Sequence, residues 1–487
     1  MTTMVEKFAR LARETRFADL PDEAVSEAGR IMLDSIGVAV AAIYELKGKA
    51  GIDYGRLIGG PAGHGDATIM GTGDRVSVFG AAFANGELIN TLDMDAVMPP
   101  GHITPYVLPG IMALGESLAR DGKSVIEAIA VSHEISCRIG MGMDYLRDTK
   151  DGKVDPPPVF GYAETIFGAT AAIGMLRGHS AETLANGLGI AGSVSPVNSQ
   201  VAWFQHAPSS TIKYLHAGVL TQSAFTAAYA AELGHRGDIR ILDDAEFGYR
   251  RFIGTRRWFA DSMVENLGSE WRFPALSTFK PYPHCRILHA LIDEMTEILD
   301  ANAIGVEEID GIKVYVEGMV EQPVWLNRDI LLPHDAQFSI AHGIAVGAHR
   351  VQPGRGWMDP DLIFGPSVMG LMDKVTHEVH PDYVKLLSGN AASRPARLEI
   401  QARSRTFAGE RRYPKGSKSP DPESFMTDEQ LIAKFLRNAD GILPRANAER
   451  IVELTMDMAN VADVGEIMRL TAPMAQAAVG RSEAATA

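Results

Sequence analysis

Cysteine is nearly absent from this chain, with only Cys137 and Cys285 in 487 residues. They form no CxxC pair and no zinc-ligand spacing, which excludes a disulfide framework and points to a reducing compartment. Cys285 is at most a weak nucleophile candidate, because sequence assigns it no acid–base partner. Basic residues are short as well: 46 Lys and Arg face 61 Asp and Glu, for a formal charge of −15. That field repels nucleic acid and anionic membranes, since phosphate binding draws on clustered cations. No run of about 18 apolar residues is available to span a bilayer. The opening MTTMVEKFARLARETRF is charged and has no apolar signal core. The expectation is a cytoplasmic protein without nucleic-acid or membrane partners. Also missing, in any fitting structural context, are GxGxxG, a Walker loop, HExxH and GxSxG. Function has to come from dispersed polar groups.

What remains is an ordinary globular composition, 46% hydrophobic and 22% charged. At 487 residues the length suits two domains. The first half reads as helical and rich in small residues. LPDEAVSEAGRIMLDSIGVAVAAI opens with Pro21, Asp22 and Glu23, which suit a positive helix start, and then keeps helical spacing. VFGAAFANGELINTL, TPYVLPGIMALGESLARDG and SVIEAIAVSHEISCRIGMGM continue that pattern. Thr104 is expected as N-cap and Pro105 as the first helical residue. In TIFGATAAIGMLRG, residues such as Gly168 and Gly174 would let neighbouring helices approach closely. After about Phe273 the texture changes. Ile309–Glu317 and Ala396–Ser404 alternate like strands, with helical patterns between them. The fold class expected is mainly α with an α+β part. Arg412–Ser424 reads as a polar, Pro-rich linker before helices return, and AAVGRSEAATA as a frayed tail.

Four places could carry chemistry. In LDMDAVMPPGHIT, Asp93 and Asp95 lie at a helix end and His102 just before the next helix. A helix start can hold a carboxylate, and a histidine there can also move a proton near neutral pH. The alternative is a loop histidine capping local backbone. In STIKYLHAG, Lys213 and His216 are three apart, so a helix would put them on one face, with Lys213 clamping a carboxylate or merely solvated. FKPYPHCRILHALIDEM places Lys280, His284, Arg286 and His289 within ten positions, either a cationic site or a basic turn at a domain junction. FGYAETIFG sets Tyr162 and Glu164 before a buried helix, where Glu164 on its own would favour the helix dipole.

Together and in this order, these stretches resemble the MmgE/PrpD family, which includes 2-methylcitrate dehydratases, cis-aconitate decarboxylases and iminodisuccinate epimerases. The likeness runs through nearly the whole chain, from LPDEAVSEAGRIMLDSIGVAVAA through KYLHAGVLTQSAFTAAYAAELGHRG and FKPYPHC to DEQLIAKFLRNA. The resemblance implies a large helical domain built from both chain ends, here residues 1–272 and 412–487. A smaller α+β lid, residues 273–411, is inserted between them. It further implies a homodimer that needs no metal or organic cofactor and acts on small carboxylates in a cleft between the domains. By position, Asp93, His102, Lys213 and His289 are the implied catalytic residues, with His289 favoured over His284. His216, Lys280, His284, Arg286, Tyr162 and Glu164 are the implied substrate contacts. Proton transfer next to a carboxylate builds negative charge that Lys213, Arg286 and His289 would hold, while His102 shuttles the proton and Asp93 orients it.

The sequence departs from the family pattern at three points. DMDAV replaces D-x-D-D-T, HIT replaces H-P, and Tyr162 with Glu164 stands where many members have a histidine. Fewer matched partners and an added carboxylate should weaken a tricarboxylate. The leading expectation is therefore a cofactor-independent lyase, a hydro-lyase or decarboxylase. An epimerase or isomerase, and a non-catalytic carboxylate-binding protein, are the alternatives.

Overall fold

The computed structural model describes residues 2–61, 63–143, 149–151, 153–155, 157, 160–213, 215–390 and 392–474. The expected tail AAVGRSEAATA lies outside the described residues. The architecture is mainly helical with a small mixed sheet, the class expected from the sequence.

Helices Asp22–Ala41, Val78–Thr91, Thr104–Ser117, Gly122–Gly142, Thr165–Arg177 and Ala217–Glu232 form the helical body. They are mostly buried, and largely apolar apart from charged residues such as Asp34, Glu87 and Arg138, each of which has an ion-pair partner. Small residues set the spacing: a Cβ on Gly168 would lie 2.2 Å from the Ser132 carbonyl of the neighbouring helix. Late in the chain, Asp428–Ala439 and Arg445–Met456 return to pack on Asp22–Ala41. Lys434 Nζ donates to Asp34 Oδ1 at 2.6 Å and to the Met94 carbonyl at 2.9 Å, the first of these joining residues 400 positions apart.

The sheet runs Val375–Val379, Ile309–Val316, Ala396–Ala402, Arg405–Arg411; the first pair is parallel and the others antiparallel. Ile312 opposes Ile400 and Val314 opposes Leu398 on a buried face, which helix His289–Ala301 covers. Two strands, Val375–Val379 and Arg405–Arg411, carry no clear strand pattern in the sequence. The strand expected to reach Ser404 stops at Ala402, because Arg403 and Ser404 turn the hairpin at φ 52° and 56°. Hairpins use that conformation routinely, but mostly with Asn or Gly, so nothing in this sequence marks the turn.

Two further local expectations change. Thr104 is the first residue of its helix rather than its cap, and its hydroxyl meets His133 Nε2 at 3.2 Å. The linker around Arg412–Ser424 is also not a free tether. Ser417 and Ser424 are buried, and Ser417 bridges to Thr278.

Candidate active site

The Val78–Thr91 helix ends at Leu92, and Asp93 follows at φ 52°, a left-handed conformation that Asp tolerates better than most residues. The turn aims its carboxylate into the protein, where two ammonium groups meet it. Lys280 Nζ lies 2.5 Å from Oδ2, and Lys213 Nζ lies 3.4 Å from Oδ1. His102 Nε2 stands 3.6 Å from the same Oδ1. Burial works to raise the Asp93 carboxyl, but Lys280, Lys213 and His102 hold it well below the usual carboxylate range. It is a permanent anion shared by three potential cations.

Asp95 takes the other side of His102: Nδ1 sits 2.7 Å from Asp95 Oδ2. The sequence puts Asp95 at the helix end without a role of its own, and points to Asp93 as the residue that orients His102. In the structure the close contact belongs to Asp95. The ring of Tyr162 meets His102 edge-on, with centroids 5.6 Å apart. Gln200, which no sequence signal marked, donates from Nε2 to the Tyr162 hydroxyl at 3.3 Å.

Lys213 reaches this group in an unexpected way. Among the described residues no helix carries Lys213 and His216 together, and Lys213 sits in a turn at φ 61° with its amide on the Ser210 carbonyl. Its ammonium donates to the Asn90 carbonyl at 2.6 Å and lies 5.7 Å from the Phe338 ring centroid. Burial draws it down to about 8, against the pull of Asp93. The next helix starts only after His216, because Glu87 from another helix caps it. Glu87 Oε1 accepts from the Gly218 amide at 2.8 Å and contacts His216 Nδ1 at 2.7 Å. Lys47 reaches the other oxygen at 2.5 Å. Burial raises the Glu87 carboxyl, yet Lys47, His216 and Gly218 bring it to about 2. Lys213 and His216 therefore serve different carboxylates.

Of the two nearby histidines, His284 feels the Asp93 charge most directly, although burial still pulls it to about 4. Both ring nitrogens lack a hydrogen bond from the described residues, and Nε2 crowds the position a Gly343 side chain would take. His289 is fully buried, its Nε2 is bound to the His284 carbonyl at 2.9 Å, and burial with Lys280 depresses it well below the usual range. Cys285 is buried, accepts from Trp325 Nε1 at 3.3 Å, and has its thiol pushed up by burial, which removes it as a nucleophile. Arg286 donates to Ser417 Oγ at 2.6 Å. Glu164 lines a small pocket with Pro100, Gly140, Phe160 and Asn198. It makes no capping bond, and burial raises it to about 8.

Residues from the sheet-bearing part close over Lys213. Trp203 packs on Phe338 at 4.6 Å, Phe204 on Trp325 at 5.5 Å, and Gln337 Nε2 donates to the Thr91 carbonyl at 3.1 Å. Among the described residues no three His, Cys, Asp or Glu side chains are grouped to hold a metal ion. No helix among them is long and apolar enough to cross a membrane.

The MmgE/PrpD N-terminal domain model matches residues 6–259 and the C-terminal domain model matches residues 282–458. The chain belongs to the MmgE/PrpD family. Its curated relatives include the cis-aconitate decarboxylase of Homo sapiens, 23% identical over 96% of this chain and 95% of the relative. The Mus musculus protein of that name is also 23% identical, over 96% and 93%. That of Aspergillus terreus is 22% identical over 93% and 92%. In this MmgE/PrpD chain the fold joins, in one buried cluster, residues that the sequence spreads from position 93 to position 284.

Proposed function

We propose that this MmgE/PrpD protein is a cofactor-independent lyase of a small polycarboxylate, with decarboxylation the first reaction to test. Its class as an MmgE/PrpD lyase rests on family membership and on relatives named as decarboxylases along nearly their whole length. The observation that carries the mechanism is His102 held between Asp95 and Asp93, with Lys213 and Lys280 on the second carboxylate. Loss of carbon dioxide breaks a C–C bond and leaves its electron pair on carbon, conjugated with a remaining carboxylate. Lys213 and Lys280 stabilise that charge, and His102 returns a proton to close the new C–H bond. Asp95 holds the imidazole and keeps Nε2 turned toward the reacting atom. In this reading His284, both of whose ring nitrogens lack a hydrogen bond from the described residues, serves the site rather than His289, whose Nε2 is held by the His284 carbonyl. Residues 273–411 act as a lid over 1–272 and 412–487, a role supported by the Trp203–Phe338 and Phe204–Trp325 contacts.

The chain is also proposed to work as a homodimer. Tyr54, Leu57 and Ile58 on the Leu46–Gly59 helix, with Phe79 beside them, present exposed apolar side chains.

The test is His102→Gln assayed on cis-aconitate. A positioned acid or base contributes about 10²- to 10⁴-fold, so kcat should fall by that range with a smaller change in KM. Unchanged kcat and pH profile would return His102 to a structural role.

A further inference from the structure

The turn from Asp93 through Met94 to Asp95 sends three groups to different partners. The Asp93 carboxylate meets Lys213 and Lys280, and the Asp95 carboxylate meets His102 Nδ1 at 2.7 Å. The peptide carbonyl between them, at Met94, accepts from Lys434 Nζ at 2.9 Å. Lys434 belongs to helix Asp428–Ala439, and its ammonium also donates to Asp34 Oδ1, on helix Asp22–Ala41, at 2.6 Å. Met94 and Asp95 are 0% exposed, so water cannot replace the donor that the carbonyl needs. Residues 93–96 belong to no helix or strand, so such contacts set the shape of the turn. Other charges face the pair from the surrounding elements. Arg30, itself paired with Glu27, acts on Asp34, Lys280 acts on Lys434, and Asp95 acts on both. A buried ion pair is weak evidence for stability, because the cost of desolvating two charges offsets their attraction. What this pair does is hold a carbonyl that lies one residue from each aspartate of the site.

We propose that Lys434, anchored by Asp34, is a positioning residue: it pins the Met94 carbonyl and thereby keeps Asp95 on His102 Nδ1. The proposal rests on the lyase reading for the reaction that His102 serves. Rotation of the Met94 peptide would carry the Asp95 backbone with it and change the 2.7 Å contact to the imidazole. That contact fixes the ring and leaves Nε2 on the side of Asp93, 3.6 Å from Oδ1. A reacting group misplaced by about 1 Å loses on the order of a hundredfold in rate. Lys434 acts here through the backbone alone, so the second helical segment enters the site by way of the first.

Removing Lys434 alone would leave Asp34 as a buried unpaired charge and endanger the fold. The test therefore combines two near-isosteric changes, Asp34→Asn and Lys434→Met, in the full-length protein. The first readout is the far-downfield proton resonance of His102 Nδ1–H, the signature of a short bond to a carboxylate. It is recorded on protein with nitrogen-labelled histidine and identified by its loss in His102→Gln. The combined variant should shift this resonance upfield or broaden it away while melting close to wild type. The second readout is kcat on cis-aconitate, which should fall roughly tenfold to a hundredfold. Added to Asp95→Asn, the combined change should lower kcat little further, because effects that pass through one contact are not additive. If the combined variant melts too low to assay, Lys434→Gln, one bond shorter and uncharged but still a donor to Asp34, carries the same expectations. In a folded variant, an unchanged resonance or an unchanged kcat would overturn the positioning role. So would a loss that multiplies in full with that of Asp95→Asn, or the absence of such a resonance from wild type. A resonance that responds as expected, in a protein whose wild type turns over no carboxylate, would keep the positioning role and sink the lyase.

Discussion

At the scale of single residues, the site depends on where charge is matched and where it is not. Asp93 is a buried carboxylate with two ammonium partners, and it stays ionised. Glu164 is a buried carboxyl with no hydrogen bond to either oxygen from the described residues, and burial raises it to about 8 from 4.5. The linkage has a definite sign. A group with a raised folded pKa gives stability that is complete below its unfolded value and is lost as pH climbs through the folded one. Wild-type stability should therefore decline from about pH 4.5 to about pH 8 by a component that Glu164→Gln lacks. Melting temperatures of both proteins across about pH 5 to 9 check this: the curves should converge at acid pH and separate toward pH 8, with the variant higher. Parallel curves would show that Glu164 is ionised and matched throughout.

At the scale of elements, helix packing rather than helix propensity limits what can change. A Cβ on Gly168 would fall 2.2 Å from both the Ser132 carbonyl and Ser136 Oγ, so helices Gly122–Gly142 and Thr165–Arg177 cannot keep their separation. Gly187, in helix Ala181–Val194, would meet nothing nearer than Thr170 Cγ2 at 3.4 Å. The same chemical change should then have opposite signs. Gly168→Ala should destabilise by about 1–3 kcal/mol through overpacking, while Gly187→Ala should stabilise by about 0.5–1 kcal/mol through propensity. Urea unfolding of the two variants decides it, and a stabilised Gly168→Ala would mean that the helices can move apart freely. The small-residue run that flags this helix as buried was visible in the sequence. Which of its glycines touch a neighbour was not, because that depends on the facing helix.

At the scale of the whole molecule, an early and a late helix are locked together and one face carries exposed apolar side chains. Lys434 on Asp34, and Arg30 on Asp428 and the Met426 carbonyl, tie helix Asp428–Ala439 to helix Asp22–Ala41. Leu57 is 77% exposed, so replacing it with a charge should not disturb the fold. Wild type should sediment at twice the 52.5 kDa chain mass, and Leu57→Glu should shift it toward the monomer with little change in melting. A monomeric wild type would remove the dimer from the proposed function.

Composition and order along the chain determined the class of the molecule. Helical periodicity, the change of texture near Phe273 and the serial order of the polar stretches were enough for a mainly helical family member. They also marked Asp93, His102, Lys213, Lys280, His284 and His289, with His289 favoured over His284, because histidines, lysines and acids stand out where loops interrupt apolar helices. Only the tertiary structure decided which groups meet. Asp95 rather than Asp93 grips His102, Lys213 arrives from a turn at φ 61° rather than a helix, and His216 belongs to Glu87. His216 and Glu87 lie 129 positions apart, and their contact at 2.7 Å is set by how helices pack. No local pattern encodes that distance. Lys434 shows the same limit: it is one ordinary cation in the sequence, and the folded chain sets it on Asp34, 400 positions away, and on the Met94 carbonyl.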